Sequence, residues 1–544
     1  MALHKNQIIS LSISGITSEG NGIGRCDGMA VFVPYTVPGD QLMAKVVKVN
    51  KSYAYAIVDR FTRPSNLRVE PDCPVFGKCG GCSLRQLSYQ AELELKQDWV
   101  RQDLRRIGKC EPSMLPIIPS PNADRYRNKA LIPVAMGENG KAVSGFYAPR
   151  SHRVLPCADC LLQPVEFAAI TAAVLDYINS CFIKPYDEIS HKGLVRHIFL
   201  RKAEETGQVM VVLVVTDFAL PHTGLLVEKV RAACPNVSGV LLNRNDAVTN
   251  VIMGKETKLL WGSGVISDVL CGVKLDISPL SFYQVNRRGA QLLYAEAARM
   301  AGLTGKELLL DLYCGAGTIG LSMAGKAREL IGVEIVPQAV ENAKTNAATN
   351  GVTNARFLCA DAGQAAAKLA EEGLKPDVVL VDPPRKGCSL DTIEAICAMA
   401  PQRVVMVSCN SATAARDVEL FAQRGYKATQ ARAVDMFPRT ANVETVCLLS
   451  KLNTKQHIEI NLDMDELDLT DAEKKATYQE IKDYVLEHSG LKVSSLYIAQ
   501  VKQKCGIIER ENYNKPKSED AKQPQCPPDK EKAIKEALTH FGMI

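Results

Sequence analysis

The sequence predicts an α/β protein. A Rossmann-like, doubly wound parallel sheet follows a small N-terminal β-barrel of the OB type and a central α+β region, and a small helical C-terminal extension closes the chain. Three observations predict this. From about residue 290 to 450, apolar strands, glycine turns and helical stretches alternate in β-α-β order. The first 60 residues instead hold short, evenly spaced strand-like runs. After Leu452 the composition turns acidic, then proline- and lysine-rich. A chain of 544 residues is too long for one core, since domains usually run about 100–200 residues. The expected boundaries are 1–60 for the barrel, 61–285 for the central domain, 286–452 for the sheet domain and 453–544 for the helical unit.

Composition narrows the class. With 46% hydrophobic and 23% charged residues the chain is an ordinary globular mix, which excludes a mostly disordered protein. No stretch reaches the roughly 18 apolar residues of a membrane span. The N-terminus MALHKNQIISLSISG alternates rather than running apolar, so no signal peptide is expected and the expected location is cytoplasmic. Eighteen cysteines are too dilute for a disulfide scaffold; most should be buried apolar residues and a few ligands or nucleophiles. The net charge is +5. From Lys451 onward 15 Lys and Arg face 17 Asp and Glu, so residues 1–450 carry about +7, a mild bias toward a polyanionic partner.

Taken in order, QIISLSISGI, MAVFVPYTVPGD, QLMAKVVKV and YAYAIVDRF read as barrel strands, with GNGIGRCDG (20–28) a loop needing positive φ. Small barrels of this kind often bind nucleic acid. A cysteine-rich stretch, Pro71 to Leu84, precedes a helical pattern from Tyr89 to Ile107. Residues 125–160 and 193–285 are strand-rich. LVRHIFLRKAEETGQVMVVLVV reads as a hairpin, and its run Val209 to Val215 as a buried strand. Beyond Leu452, helices are expected near 471–488, 495–505 and 529–541, with Gly490 ending the first and Ser494 or Ser495 capping the second. This unit reads as a helical appendage, or more sharply as a helix-turn-helix-like RNA contact.

The strand ELLLDLY runs into CGAGTIG (314–320), where Gly315, Gly317 and Gly320 satisfy GxGxxG. That spacing alone also suits a dinucleotide. Two features point elsewhere. Asp311 closes the first strand, where a pyrophosphate would be repelled and a cationic amino-acid tail welcomed. Glu334 closes the second, placed to accept from two ribose hydroxyls, and Asp361 follows the third, placed to meet an adenine edge. Acids at successive strand ends with no phosphate partner describe an S-adenosylmethionine pocket. The fourth strand, DVVLVD, ends in Asp382-Pro383-Pro384-Arg385. Base N-methyltransferases carry an aromatic after the two prolines; Arg385 there argues for different chemistry.

The fifth strand, RVVMVSC, delivers Cys409 and then Asn410 at the same edge. Pyrimidine C5 is a poor nucleophile. A thiolate adding at C6 makes the ring enolate-like, so that C5 can attack an electrophilic methyl group. The C5 proton must then leave to a general base, for which Glu444, just before the last apolar strand VCLLS, is the candidate. Cys73, Cys79 and Cys82 form C-x5-C-G-G-C, a metal clip by its spacing, and Cys157 or Cys160 could supply a fourth thiol. Three clustered cysteines and one distant cysteine suit a [4Fe-4S] cubane cluster better than zinc.

Together CPVFGKCGGC, SFYQVN (281–286), DLYCGAGTIG, VDPPRKG (381–387), VSCN (407–410) and DMFPRTANVE (435–444) resemble the RNA uracil-C5 methyltransferase family, in particular bacterial enzymes that make 5-methyluridine in 23S ribosomal RNA. The resemblance covers roughly residues 1–450. It implies a TRAM-type RNA-binding barrel and a [4Fe-4S] cluster on Cys73, Cys79, Cys82 and Cys160, preferred to Cys157 by its distance from Ser151. It also implies methyl-donor contacts from Gln284, Tyr313, Thr318, Glu334, Asp361 and Asp382, with Cys409 as the covalent nucleophile and Glu444 as the proton acceptor. Asn442 departs from the family phrase, where histidine is usual. The implied partner is RNA, ribosomal first and transfer RNA as the alternative, with no obligate protein partner. A cytosine-C5 enzyme would need a group to protonate or bind cytosine N3 and its amino group, and typically offers a Pro-Cys or a second catalytic cysteine; neither stands at this edge. A non-catalytic RNA-binding assembly factor would be indifferent to Cys409→Ala.

Overall fold

The structure, a computed structural model, describes residues 3–452, 478–505, 526–541 and 543. It divides into two compact units, Met1–Asn453 and Thr454–Ile544, each treated by itself. At the N-terminus, β1 (Ile8–Ile16), β2 (Asn21–Cys26), β3 (Met29–Pro34), β4 (Gln41–Val49) and β5 (Tyr53–Arg63) close into a barrel in the order β1-β2-β3-β5-β4. Alternation along each strand sends Ile9, Leu11, Ile13, Val31, Val33, Leu42, Ala44 and Val46 inward.

Next come α1 (Tyr89–Arg106) and β6 (Ser113–Ile118), followed by β7 (Lys129–Met136), β8 (Ala142–Tyr147), β9 (Val154–Pro156) and α2 (Val165–Ser180). After them stand β10 (Val195–Lys202), β11 (Val209–Val215), α3 (Thr223–Ala233), β12 (Val237–Arg244) and β13 (Glu256–Gly262), then the β14 (Ile266–Leu270) and β15 (Val273–Ile277) hairpin. Strands β7 to β13 form a seven-stranded sheet ordered β13-β12-β11-β10-β7-β8-β9. The expected hairpin is β10–β11, paired from Lys202↔Val209 to Val195↔Val215. Every residue of β11 is buried. Val211 and Leu213 face a core shared with α2 and α3, while Met210 and Val212 join the core that includes Leu309 and Val405. This two-sided burial explains the unbroken apolar run.

The third layer begins with α4 (Arg287–Ala301) and alternates through β16 (Leu308–Leu312), α5 (Thr318–Ala324), β17 (Glu329–Glu334), α6 (Pro337–Thr349) and β18 (Ala355–Cys359). It continues with α7 (Ala362–Glu371), β19 (Val378–Val381), α8 (Leu390–Met399), β20 (Arg403–Ser408), α9 (Ser411–Ala422), β21 (Tyr426–Val434) and β22 (Glu444–Lys451). The sheet order is β18-β17-β16-β19-β20-β22-β21-β6. The first five strands are parallel and β22 runs antiparallel to β20. Strand order reverses between β16 and β19, and ligands of such sheets sit outside the carboxyl ends at that point.

One segment differs from the sequence boundaries. β6, from the stretch assigned to the central domain, pairs in parallel with β21 at the edge of this third sheet, and Val100 and Leu104 of α1 pack into its core. Its six residues, SMLPII, carry no periodicity that names a partner strand, and Pro116 suits only an edge.

The second unit contains α10 (Tyr478–Ser489), α11 (Ser495–Lys504) and α12 (Pro528–His540), packed on Ile481, Val485, Ile498, Val501, Ile534 and Leu538. Ser494 Oγ caps α11 by accepting from Tyr497 N at 3.3 Å, and Gly490 takes φ +68° after α10. The acidic run 461–473 and the start expected for the first helix lie outside the described residues. No helix among those described is long and apolar enough to cross a membrane.

Candidate active site

The carboxyl ends of β16, β17, β19, β20 and the start of β22 meet at one edge. At the end of β16, Asp311 is buried; its Oδ2 accepts from Gly320 N at 3.1 Å, while its Oδ1 has no hydrogen-bond partner. A Cβ on Gly320 would lie 2.6 Å from that Oδ2, so the residue must be glycine for α5 to approach the strand. Gly317, at φ +78°, caps α5 in the left-handed region. Tyr313 also sits there at φ +66°, with its hydroxyl beside Cys388 and Thr392.

Glu334 ties this turn to β17. Its Oε2 accepts from Gly315 N at 3.1 Å and its Oε1 from Val336 N at 2.8 Å. Asp361 Oδ1 caps α7, accepting from Gly363 N and Gln364 N at 3.0 and 3.2 Å. The residue expected at an adenine edge thus also serves as a helix cap. Thr318 is the first residue of α5. The side chain of Gln284 bonds to the buried Tyr294, whose hydroxyl stands in the field of Asp382 and Glu444.

Asp382 follows β19, and no protein donor among the described residues reaches its carboxylate. Crowding by the protein pushes it up to about 7. Asp311 is pushed up to about 8 by burial and then by repulsion from Asp382 and Glu334, against the Gly320 hydrogen bond. Glu444 is raised to about 8 by burial and then by Asp382, with Arg385 opposing. Burial and like charge both disfavour the ionised forms here, so a cation entering this pocket would be strongly favoured. Asp382 and the unpartnered Oδ1 of Asp311 fit the sulfonium and ammonium groups of S-adenosylmethionine.

The pairing of β20 with β22 runs Val407↔Val446 and Ser408↔Thr445 and ends there; Cys409 follows β20 and Glu444 begins β22, near enough for the carboxylate to act on the thiol. Burial raises the Cys409 thiol, as does repulsion from Glu444 and Asp382, while the guanidinium of Arg385 lowers it by charge and by a hydrogen bond. Asn410 turns the chain into α9, its Oδ1 accepting from Ala412 N and Thr413 N. The sequence marks Arg385 only as the replacement of an aromatic residue; its place beside the thiol depends on two strands converging. Asn442 bonds to Thr440 Oγ1 through its backbone N–H and its side-chain amide.

A second cavity, of about 280 Å³, is lined by Cys73, Cys79, Cys82, Cys157 and Cys160 together with Arg85, Arg127 and Lys129. Burial, with repulsion from Cys160, Cys79 and Cys73, pushes the Cys82 thiol up to about 12 despite Arg85. Cys157 Sγ lies 3.5 Å from the carbonyl of Asp159. Among the described residues, no three His, Cys, Asp or Glu side chains are grouped to hold a single metal ion. The thiols instead surround a space.

Comparison with known proteins decides the family. Residues 3–58 match the TRAM domain, and residues 277–452 match the tRNA (Uracil-5-)-methyltransferase family. A protein of Halalkalibacterium halodurans named as an uncharacterized RNA methyltransferase is 42% identical over 452 residues, 83% of this chain and 98% of its own. The chain belongs to the RNA uracil-5-methyltransferase family. A second uncharacterized RNA methyltransferase, from Clostridium tetani, is 40% identical over the same shares. The solved Pyrococcus abyssi tRNA (uracil-54, C5)-methyltransferase, in complex with S-adenosyl-L-homocysteine, is 26% identical with a TM-score of 0.66, covering 81% of this chain and 99% of that one. This methyltransferase is S-adenosylmethionine-dependent and acts on RNA.

Proposed function

We propose that the protein transfers a methyl group to C5 of uridine in 23S ribosomal RNA through a covalent bond between Cys409 and C6. One observation carries the chemistry: Cys409 and Glu444 flank the last β20–β22 pair, Ser408↔Thr445, with Arg385 hydrogen-bonded to the thiol and Asp382 within its field. Arg385 favours the thiolate. Its sulfur adds at C6, and the displaced π pair makes C5 the nucleophile. S-adenosylmethionine, when bound, supplies the electrophilic methyl group. Asp311, Glu334, Asp361, Asp382, Gln284, Tyr313 and Thr318 would hold it. The carboxylate of Glu444 then takes the C5 proton, the C5–H electron pair restores the C5=C6 bond, and the C6–S bond breaks to return the thiolate.

The ribosomal substrate rests on the barrel and the family likeness. A transfer RNA substrate is the second reading, favoured by the likeness to the Pyrococcus abyssi enzyme along 99% of that chain. Mapping 5-methyluridine in both RNAs from a deletion strain separates them: loss from 23S ribosomal RNA alone is the expected result, and loss confined to transfer RNA overturns it. RNA carrying 5-fluorouridine should trap a covalent complex with the wild-type enzyme and not with Cys409→Ala, since fluorine cannot leave as a proton.

Cys73, Cys79, Cys82 and Cys160 would hold a [4Fe-4S] cluster. Support comes from thiols spread around a cavity rather than closed on one ion, and from the Arg127 and Lys129 lining, which suits an anionic cluster. Its contribution there is structural, cross-linking residues 73–82 to 160. Anaerobically purified protein should contain iron; stoichiometric zinc without iron would overturn the assignment. A cytoplasmic setting keeps the eighteen free cysteines reduced.

A further inference from the structure

The loop between β21 and β22, residues 435–443, leads into Glu444, the first residue of β22 and paired there with Val434; besides its own bonds at Thr440 and Asn442 it is held from several distant segments. Lys96 Nζ donates to Asp435 Oδ1 at 2.7 Å and to the carbonyl of Phe437 at 3.1 Å, and Asn286 Nδ2 donates to the carbonyl of Met436 at 3.0 Å. Two further holds come from residues that adjoin Cys82, Arg85 and Arg127 in the lining of the cysteine cavity. The N–H groups of Ser83 and Leu84, the two residues after Cys82, both donate to the carbonyl of Arg439, at 3.0 and 3.1 Å. Tyr126, whose ring stands in the electrostatic reach of Cys82, donates from its hydroxyl to the carbonyl of Pro438 at 3.0 Å. Arg439 sits at φ +67°, a conformation a non-glycine residue keeps only when its surroundings impose it. Beyond Ser83 the segment is rigid, since Leu84, Arg85, Gln86 and Leu87 are all buried.

We propose that Ser83, Leu84 and Tyr126 are positioning residues that strap the cysteine cavity to the loop leading into Glu444, so that the group bound by the cysteines sets the placement of the proton acceptor. This rests on the reading of Glu444 as that acceptor. A cysteine loop fixed by its bound group holds Cys82, the next two N–H groups hold Arg439, and Glu444 follows five residues later. When the cysteine loop slackens, the proton-abstraction half of the reaction suffers. The addition and methylation half, carried by Cys409 on β20, does not.

The two halves can be read apart in the full-length enzyme with 23S ribosomal RNA transcripts. Trapping on 5-fluorouridine RNA reports addition and methylation alone. On ordinary uridine RNA, a methylated covalent complex accumulates only when proton removal lags. Cys160→Ser, Ser83→Pro and Tyr126→Phe are compared with Glu444→Gln, with melting curves to establish folding. The expected result is trapping within about threefold of wild type, turnover lowered about tenfold or more, and accumulated covalent complex on ordinary RNA, since misplacing a reacting group by about 1 Å can cost 100-fold. Tyr126→Phe leaves every cysteine in place and keeps the test decisive if the other two fold poorly. Trapping that falls in step with turnover, or turnover left unchanged in folded variants, overturns the strap. Failure of Glu444→Gln to accumulate complex sinks the assignment of Glu444 instead.

Discussion

Glu444 enters the ligand-free site with its carboxyl raised to about 8, first by burial and then by Asp382, with Arg385 pulling the other way. As the proposed proton acceptor Glu444 works only when ionised and acts after methyl transfer, so kcat, rather than kcat/KM, should climb with pH up to about 8 rather than level off near 5, where an ordinary glutamate has finished titrating. The measurement is kcat, with the decay of the methylated covalent complex, from pH 5.5 to 9 on a uridine-containing transcript; a flat profile above pH 6 would count against Glu444. The Cys409 thiol, also raised, steepens the same limb. Trapping on 5-fluorouridine RNA, which does not need the acceptor, separates the two contributions. The sequence could place both residues at this edge because each is a reactive side chain at the rim of an apolar strand. Arg385 was visible only as an oddity, since nothing local in VDPPRKG says which thiol it faces.

At the scale of elements, α1 shows what sequence patterning hides. Its helical pattern from Tyr89 to Ile107 predicts a helix, and Tyr89–Arg106 is one. What it does lies far along the chain. Lys96 and Glu92 are fully buried, Lys96 Nζ donates to Glu92 Oε1 and Asp435 Oδ1 at 2.7 Å each, and Tyr89 OH donates to Asp435 Oδ2 at 2.9 Å. No periodicity announces a pair 339 residues apart, and charged residues inside a helix read as a solvated face. The same gap hides β6, whose partner strand is more than 300 residues away. By contrast, β16 to β20 follow one another in β-α-β order, which is why the parallel part of the sheet was legible in full. Removing one member of a buried charge set strands the others and costs about 3–5 kcal/mol. Lys96→Met removes the cation that Glu92 and Asp435 share, leaving Glu92 only the longer ion pair with Arg439 at 3.7 Å, and it should lower the thermal midpoint of the body clearly more than Lys344→Met. Lys344 is exposed and pairs with Glu341 on the surface, where such pairs contribute about 0–1 kcal/mol. Equal midpoints for the two variants in scanning calorimetry would show that the buried set does not brace this fold.

For the whole molecule, three raised acids at one edge make stability and ligand binding depend on pH in opposite directions. Asp311, Asp382 and Glu444 hold protons up to about 8, 7 and 8 in the fold, whereas carboxyls in the unfolded chain release them near pH 4. Groups raised in this way contribute stability that is fully present below the unfolded value and is lost as pH rises through the folded one. The ligand-free protein should therefore lose thermal stability between about pH 4 and 8, most steeply at about pH 5–6, where all three acids hold protons in the fold and none does in the unfolded chain, and level off above about 8. A cation bound beside these carboxylates favours their ionised forms and competes with their protons. The thermal shift given by S-adenosylmethionine should then grow from pH 6 to pH 8. S-adenosylhomocysteine, which lacks the sulfonium charge, should show less of this growth. The two ligands share every other group, so the pH dependence of the difference between their shifts isolates the charge at sulfur. If that difference stays constant across the range, the acids at the strand ends are not facing the methyl-bearing end of the donor, and the pocket assignment at this edge would have to be redrawn around the ribose and adenine alone.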